Sequence, residues 1–235
     1  MSSKTVYLLF TDTGTCLARV INFVTRQPLN HVSITFDPEL REVYSFGRKR
    51  PRNPFIGGFV KEDVQSSFLS SSDCALYAYV LTEEDCQRVK KRIAEIEKNK
   101  RHYKYNFIGL FGVLLQIRLR RDNALFCSQF VATVLLDATA VNFSKPACFM
   151  TPTDIRNHKG MRLVYEGRLA DYWHNGWRSP QQTDAGTPDK KTMVTPLTKK
   201  SSGLSSVKRK LTVGVKLLFQ QAPTGLNPEL LLKRL

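Results

Sequence analysis

Residues 123–138 read NALFCSQFVATVLLDA. After the polar pair Ser128 and Gln129 the run is almost wholly apolar, which predicts a buried helix. Cys127 stands at the start of the run. A buried Cys is usually inert packing. A Cys in the first turn of a helix is different, because the helix N-terminus favours the thiolate. The sequence therefore raises the question of whether Cys127 packs or reacts.

Strand patterns are found on both sides of this helix. The segment KTVYLLF at residues 4–10 predicts a short buried strand, and CALYAYVL at 74–81 predicts a longer one. One or two final strands are expected in MRLVYEGRLADYW at 161–173. The Pro- and Gly-punctuated stretch RKRPRNPFIGGF at 48–59 predicts a loop.

A further strand carries polar residues on one side. In HVSITF, residues 31–36, the side chains of His31, Ser33 and Thr35 alternate with apolar ones. This alternation predicts a half-buried strand. The segment REVYSF at 41–46 is expected to return beside it as the second arm of a hairpin.

Helical spacing marks three more segments. Residues 82–100 read TEEDCQRVKKRIAEIEKNK, where Thr82 and Asp85 form a weak N-terminal capping pair. The buried stripe of this helix is predicted to consist of Cys86, Val89, Ile93 and Ile96. Further helices are predicted at 15–25 and at 107–117. Helices packed on an antiparallel sheet make an α+β fold.

Composition indicates the compartment. The five cysteines are widely spaced and form no C-x-x-C pair, which argues against a disulfide framework and against a zinc cluster. A reducing compartment fits this usage better. The apolar run near the N-terminus is too short for a signal peptide, and the stretch at 107–117 is too short to span a bilayer. We therefore expect a soluble, cytoplasmic protein.

The chain is strongly basic, with a formal net charge of +16. Residues 178–235 hold eleven Lys or Arg against three Asp or Glu and are rich in Ser, Thr, Pro and Gly, which predicts a disordered tail after a folded domain at 1–177. Such charge favours weak association with nucleic acid or with an anionic membrane. A solvated basic surface is the simpler interpretation.

One histidine stands out as a partner for Cys127. A thiolate mechanism needs a stabilised Cys and an imidazole near enough to exchange its proton. His31 opens a strand whose other face is apolar, whereas His102, His158 and His174 lie in charged or loop-like segments. From spacing alone, a lone buried Cys and a lone strand His are more often structural.

The chain resembles the circularly permuted papain-like hydrolases, the YaeF/YiiX-type relatives of the NlpC cell-wall peptidases. The stretches that carry the likeness appear in the family's order: LNHVSITF, REVYSFGR, ALFCSQFVATVL, FMTPTDI and RLVYEG. His31 precedes Cys127, which is the permuted order, since ordinary papain-like enzymes place Cys before His. The likeness covers roughly residues 5–172 and implies a small, barrel-like antiparallel sheet packed against helices.

The resemblance also implies the roles of the site residues. Cys127 would be the nucleophile and His31 the general base and later the acid. The family places a polar residue on the strand after the His, which here gives Ser45 or the stronger partner Glu42. A regular two- or four-residue hairpin loop would put Glu42 on the His31 face, whereas a bulge would bring Ser45 there instead.

Three functions are compatible with this site. The first is a cysteine hydrolase, of amidase or peptidase type, which cleaves an amide or related acyl bond of a small or peptide substrate through an acyl-thioester. The second is a lipid-directed acyltransferase or thioesterase of the same fold. The third is an inactive papain-like module that binds nucleic acid or anionic membrane. None of these functions calls for a cofactor, a metal or a stable partner.

Overall fold

The computed structural model of the chain describes residues 2–12, 27–50, 53–105, 124–139 and 141–174. All of them belong to the compact unit Met1–Pro180. The helices predicted at 15–25 and 107–117 lie outside the described residues, and so does the tail predicted at 178–235.

Eight strands and five α-helices are described. The strands are β1 (Ser3–Thr11), β2 (His31–Thr35), β3 (Tyr44–Arg50), β4 (Asn53–Lys61), β5 (Asp73–Thr82), β6 (Lys104–Tyr105), β7 (Ala124–Leu125) and β8 (Arg162–Arg168). The helices are α1 (Ser67–Ser70), α2 (Glu83–Lys98), α3 (Cys127–Ala138), α4 (Pro152–Arg156) and α5 (Leu169–His174), with a 3-10 turn at Ala147–Phe149. None of these helices has both the length and the apolar character needed to cross a bilayer.

Six of the strands form one open antiparallel sheet in the order β4-β3-β2-β1-β5-β8. The α+β class is confirmed. The barrel-like closure is wrong for the described residues, because β4 and β8 lie at opposite edges of the sheet and do not pair. A second, parallel pair joins β6 to β7, and β6 contacts β4 and β3.

Both faces of the sheet are covered. On one face α2 packs on β1 and β5, while α3 packs on β2 and β3. This helix-side core includes Val6, Leu8 and Phe10 of β1, which alternate with Tyr7 and Leu9 on the opposite face. The opposite face packs against the turn before β3 and against α5. Because both faces are buried, the sheet holds its polar side chains away from solvent as well.

The strongly patterned elements form where the sequence predicts them. Strands β1 and β5 match the apolar runs and pair along nine residues of register. Helix α2 begins after Thr82, whose hydroxyl accepts a hydrogen bond from the N–H of Asp85, and its buried residues are the predicted stripe. The final segment forms one strand, β8, and then turns into α5.

Strand β4 corrects the loop predicted at 48–59. Residues 53–61 form an antiparallel strand beside β3. Pro54 is tolerated there because β4 is an edge strand, where a missing N–H removes no hydrogen bond from the interior of the sheet. Gly57 and Gly58 lie opposite Arg48 and Gly47, so the paired backbones continue through the glycines. The Pro and Gly residues mark an edge strand here, and this changes which residues surround His31.

Candidate functional site

Helix α3 places Cys127 at its first position. Phe126 is extended and precedes the helix without a side-chain cap, so no N-cap side chain accepts from the N–H groups of the first turn. The backbone N–H groups of Val32 and Ser128 donate to the Cys127 sulfur. The Ser128 hydroxyl donates to the Met150 carbonyl oxygen at 2.7 Å and anchors this end of the helix. The thiol is therefore buried, and backbone donors surround it.

Strand β2 brings His31 to the same place. Val32 and Ile34 belong to the helix-side core, so alternation puts His31 and Ser33 on the opposite side of β2. Strand β2 pairs with β3 at Ile34 and not at His31, so the sheet does not separate His31 from the start of α3. The Cys127 thiol lies at the His31 end of this strand, where its sulfur is 4.0 Å from the Asn30 carbonyl oxygen. The His31 imidazole lies close enough to the Cys127 thiol for each group to shift the pKa of the other. The predicted Cys–His pair is thus brought together.

The carboxylate beside His31 belongs to Glu62. Its Oε1 lies 2.6 Å from His31 Nε2, and both side chains are mostly buried. Glu62 directly follows β4, where its N–H donates to the Val43 carbonyl oxygen and continues the pairing with β3. Since Ser45 lies opposite Val60, strand alternation puts Ser45 and Glu62 on one face. The Pro- and Gly-containing strand β4 therefore delivers this side chain to the site.

Two serines complete a buried polar network. Ser33 Oγ donates to Glu62 Oε2 at 2.6 Å. Ser45 Oγ lies 3.3 Å from His31 Nε2 and donates to the Val32 carbonyl oxygen at 3.2 Å. Strand β2 is therefore not half-buried as predicted, because its polar face is covered and its hydroxyls are paired inside the protein.

Glu42 lies elsewhere, which corrects its placement beside His31. Its carboxylate accepts a hydrogen bond from the Tyr44 hydroxyl at 2.8 Å and pairs with the Lys61 ammonium at 3.5 Å. Tyr44 and Lys61 lie directly opposite each other in the sheet, one residue out of phase with Ser45. Alternation sends them to the other face. Of the two candidates for orienting His31, only Ser45 contacts the ring, and Glu62 is the carboxylate partner.

Electrostatics favour an ion pair between Cys127 and His31. Burial alone would raise the pKa of the Cys127 thiol, but the adjacent imidazole and the two backbone donors hold it below its ordinary value. Burial alone would lower the pKa of His31, but the Glu62 carboxylate and the Cys127 sulfur raise it well above its usual value. The arrangement therefore stabilises thiolate and imidazolium together.

Glu62 remains charged although it is buried. Burial would raise its pKa, but His31 and the hydroxyls of Ser33 and Ser45 lower it below the usual value. By contrast, burial raises the pKa of the Cys74 thiol to about 12, and it also raises the pKa of Cys86. Cys127 is thus set apart from these two packing cysteines. The described residues contain no group of His, Cys, Asp or Glu that could hold a metal ion.

The sequence carries little signal for the missed carboxylate. In FVKE, residues 59–62, two apolar residues are followed by two charged ones, so no strand-like alternation marks Glu62. The preceding Pro and Gly residues favour a loop. The register that puts Val60 opposite Ser45, and Glu62 on the His31 face, comes from the pairing of β3 with β4.

Comparison of the chain with protein-family models, curated proteins and solved structures gives no match.

Proposed function

We propose that the chain is a cysteine hydrolase of permuted papain-like type that cleaves an amide or related acyl bond. The observation that carries the proposal is the placement of Cys127 beside His31, whose Nε2 lies 2.6 Å from the Glu62 carboxylate. Because Nε2 faces the carboxylate, Nδ1 is the nitrogen left to exchange a proton with the thiol. A thiolate nucleophile requires a thiol with a lowered pKa and, beside it, a base that is held in one tautomer.

Acylation follows from this arrangement. The Cys127 thiolate attacks the substrate carbonyl carbon and forms a C–S bond, while the carbonyl electrons move to oxygen. The N–H of Cys127, free of an intrahelical acceptor at the first position of α3, can donate to that oxyanion. The tetrahedral intermediate collapses, the C–N bond breaks, and the His31 imidazolium gives its proton to the leaving amine.

Deacylation uses the same pair in reverse. A water molecule gives a proton to neutral His31 and attacks the thioester carbon. The C–S bond then breaks, the acid product leaves, and the thiolate and imidazolium are restored. Glu62 stabilises the imidazolium in both halves of the cycle without taking up its proton. An alcohol or amine in place of water would make the same site an acyltransferase.

The first test is the pH dependence of iodoacetamide labelling, read by mass spectrometry at each cysteine. We expect Cys127 to label with an apparent pKa below the roughly 8.5 of a free thiol. Labelling then persists as the pH falls towards neutrality, where Cys74 stays protonated. His31→Ala should remove the cationic partner and move the Cys127 profile to higher pH.

The control for this test is Cys74 in the same folded sample. If Cys127 labels no faster than Cys74 at neutral pH in protein shown to be folded, the hydrolase proposal fails. A binding module with an inert thiol would then be the better account, and salt-dependent binding to nucleic acid or anionic vesicles would be measured next.

A further inference from the structure

We propose that Ser33 is a positioning residue of this site, whose hydroxyl holds the Glu62 carboxylate in the orientation that engages His31. The inference rests on the proposed function and names a residue two positions along β2 from the histidine. Each oxygen of the Glu62 carboxylate has its own partner. Oε1 lies 2.6 Å from His31 Nε2, and Oε2 accepts a hydrogen bond from Ser33 Oγ at 2.6 Å. Together these bonds fix the rotation of the carboxylate.

The Ser33 hydroxyl lies in a buried, largely apolar environment, so its hydrogen bond to Glu62 matters for the site. Ser33 lies opposite Leu9 of β1 and is fully buried. The same face holds the apolar side chains of Leu40 and Val43. A hydroxyl buried among such neighbours is unfavourable unless it is hydrogen-bonded. Its partner is the carboxylate of Glu62, so an apolar residue at this position would pack but would leave Oε2 without its donor.

The titratable and charged groups near Glu62 decide the sign of the effect. His31 of β2 contacts the carboxylate, and Cys127 of α3 acts through His31. From β3 the contact is the neutral hydroxyl of Ser45. At the end of β4, Lys61, the residue before Glu62, pairs with Glu42 and Glu97 instead.

Loss of the Ser33 donor destabilises the ionised carboxylate and raises the pKa of Glu62. A weaker or misoriented carboxylate stabilises the His31 imidazolium less, and the imidazolium in turn stabilises the Cys127 thiolate less. The thiol pKa therefore rises, and the acid limb of the labelling profile moves to higher pH.

The experiment compares Ser33→Ala, Ser33→Thr and Thr35→Val by the pH profile of Cys127 labelling with iodoacetamide. Thr35 is the matched control because it lies on the same strand and face, is fully buried, and bonds to the backbone of Asp37 instead of to Glu62. We expect Ser33→Ala to slow labelling near pH 6 by about threefold to tenfold, as a shift of roughly half to one pKa unit requires. Ser33→Thr should restore the rate, and Thr35→Val should leave the profile unchanged.

The outcomes separate this inference from the proposed function. If wild-type Cys127 labels like an ordinary thiol, the hydrolase proposal fails and Ser33 loses its role with it. If wild-type Cys127 shows a depressed pKa and Ser33→Ala keeps that profile, only the role of Ser33 is overturned. Equal shifts in Ser33→Ala and Thr35→Val would also overturn it, because a general loosening of β2 would then explain both. Circular dichroism and urea unfolding establish that each variant is folded.

Discussion

Glu62→Gln is expected to slow the labelling of Cys127 at neutral pH by about tenfold to a hundredfold. The substitution keeps the shape of the side chain and removes its charge. A charge-assisted hydrogen bond to an ionised group contributes about 1.5–3 kcal/mol, which corresponds to roughly one to two pKa units of His31. A less stabilised imidazolium means less thiolate at a given pH. The measurement is the second-order rate of iodoacetamide labelling between about pH 5 and 9.

The same variant should lose stability. Glu62 and His31 are nearly buried, with 9% and 14% of their side-chain surface exposed. Removing one partner of a buried pair typically costs about 3–5 kcal/mol, because the other partner is left uncompensated. We expect a loss towards the lower end of that range, since the amide of Gln can still accept a hydrogen bond from His31. The free energy of unfolding in urea at pH 7 measures it.

The chain provides a matched control for this prediction. Glu42→Gln removes the same charge from the same region, but Glu42 is largely exposed and pairs with Tyr44 and Lys61. Exposed ion pairs contribute about 1 kcal/mol or less. We therefore expect little change in stability and none in the labelling profile. Slower labelling in Glu42→Gln but not in Glu62→Gln would contradict the structural assignment.

The contrast between Glu42 and Glu62 shows where prediction from sequence ends. Local patterns were sufficient for β1, β5 and α2, because their apolar periodicity and caps lie within each segment. They raised Cys127 and His31 only as candidates, and the family resemblance was what predicted that the two act together. The residue that orients His31 depends on pairing between β3 and β4, which local patterns do not contain.

The burial of the site also depends on contacts between segments that are distant in the sequence. The alternation in β2 predicted that one face of the strand is exposed to solvent. In the structure that face is covered by the turn before β3 and by the Glu62 side chain, which hydrogen-bonds to Ser33. A polar residue in a strand pattern indicates the face but not whether that face meets solvent. Ser33 could therefore be placed beside His31 from sequence, yet its partner could be found only from the fold.

Phe130→Ala is expected to lower the free energy of unfolding by about 3–5 kcal/mol, the usual cost of truncating a buried Phe. The Phe130 ring is fully buried, with its centroid 5.2 Å from that of Phe46 and 5.9 Å from that of Phe59. These contacts hold α3 against β3 and β4. Phe130 lies three residues after Cys127, on the same side of the helix, so the cavity would form beside the first turn of α3. Urea unfolding at 25 °C measures the loss.

The position of this cavity distinguishes Phe130 from core residues that lie away from the first turn of α3. Phe46 lies between Ser45 and Gly47 on β3, so the ring contact fixes the helix that carries Cys127 relative to the strand that carries Ser45. We expect Phe130→Ala to move the Cys127 labelling profile towards that of an ordinary thiol, because the sulfur–imidazole contact loosens. Ile93→Ala in α2 is the control: truncating that buried Ile also costs about 2–5 kcal/mol, and the neighbouring Arg92 contacts Asp137 at the end of α3 remote from Cys127. If both variants lose stability and neither alters labelling, the contacts of Phe130 with Phe46 and Phe59 stabilise the fold but do not position Cys127. Cys127 is then positioned by β2 and the first turn of α3.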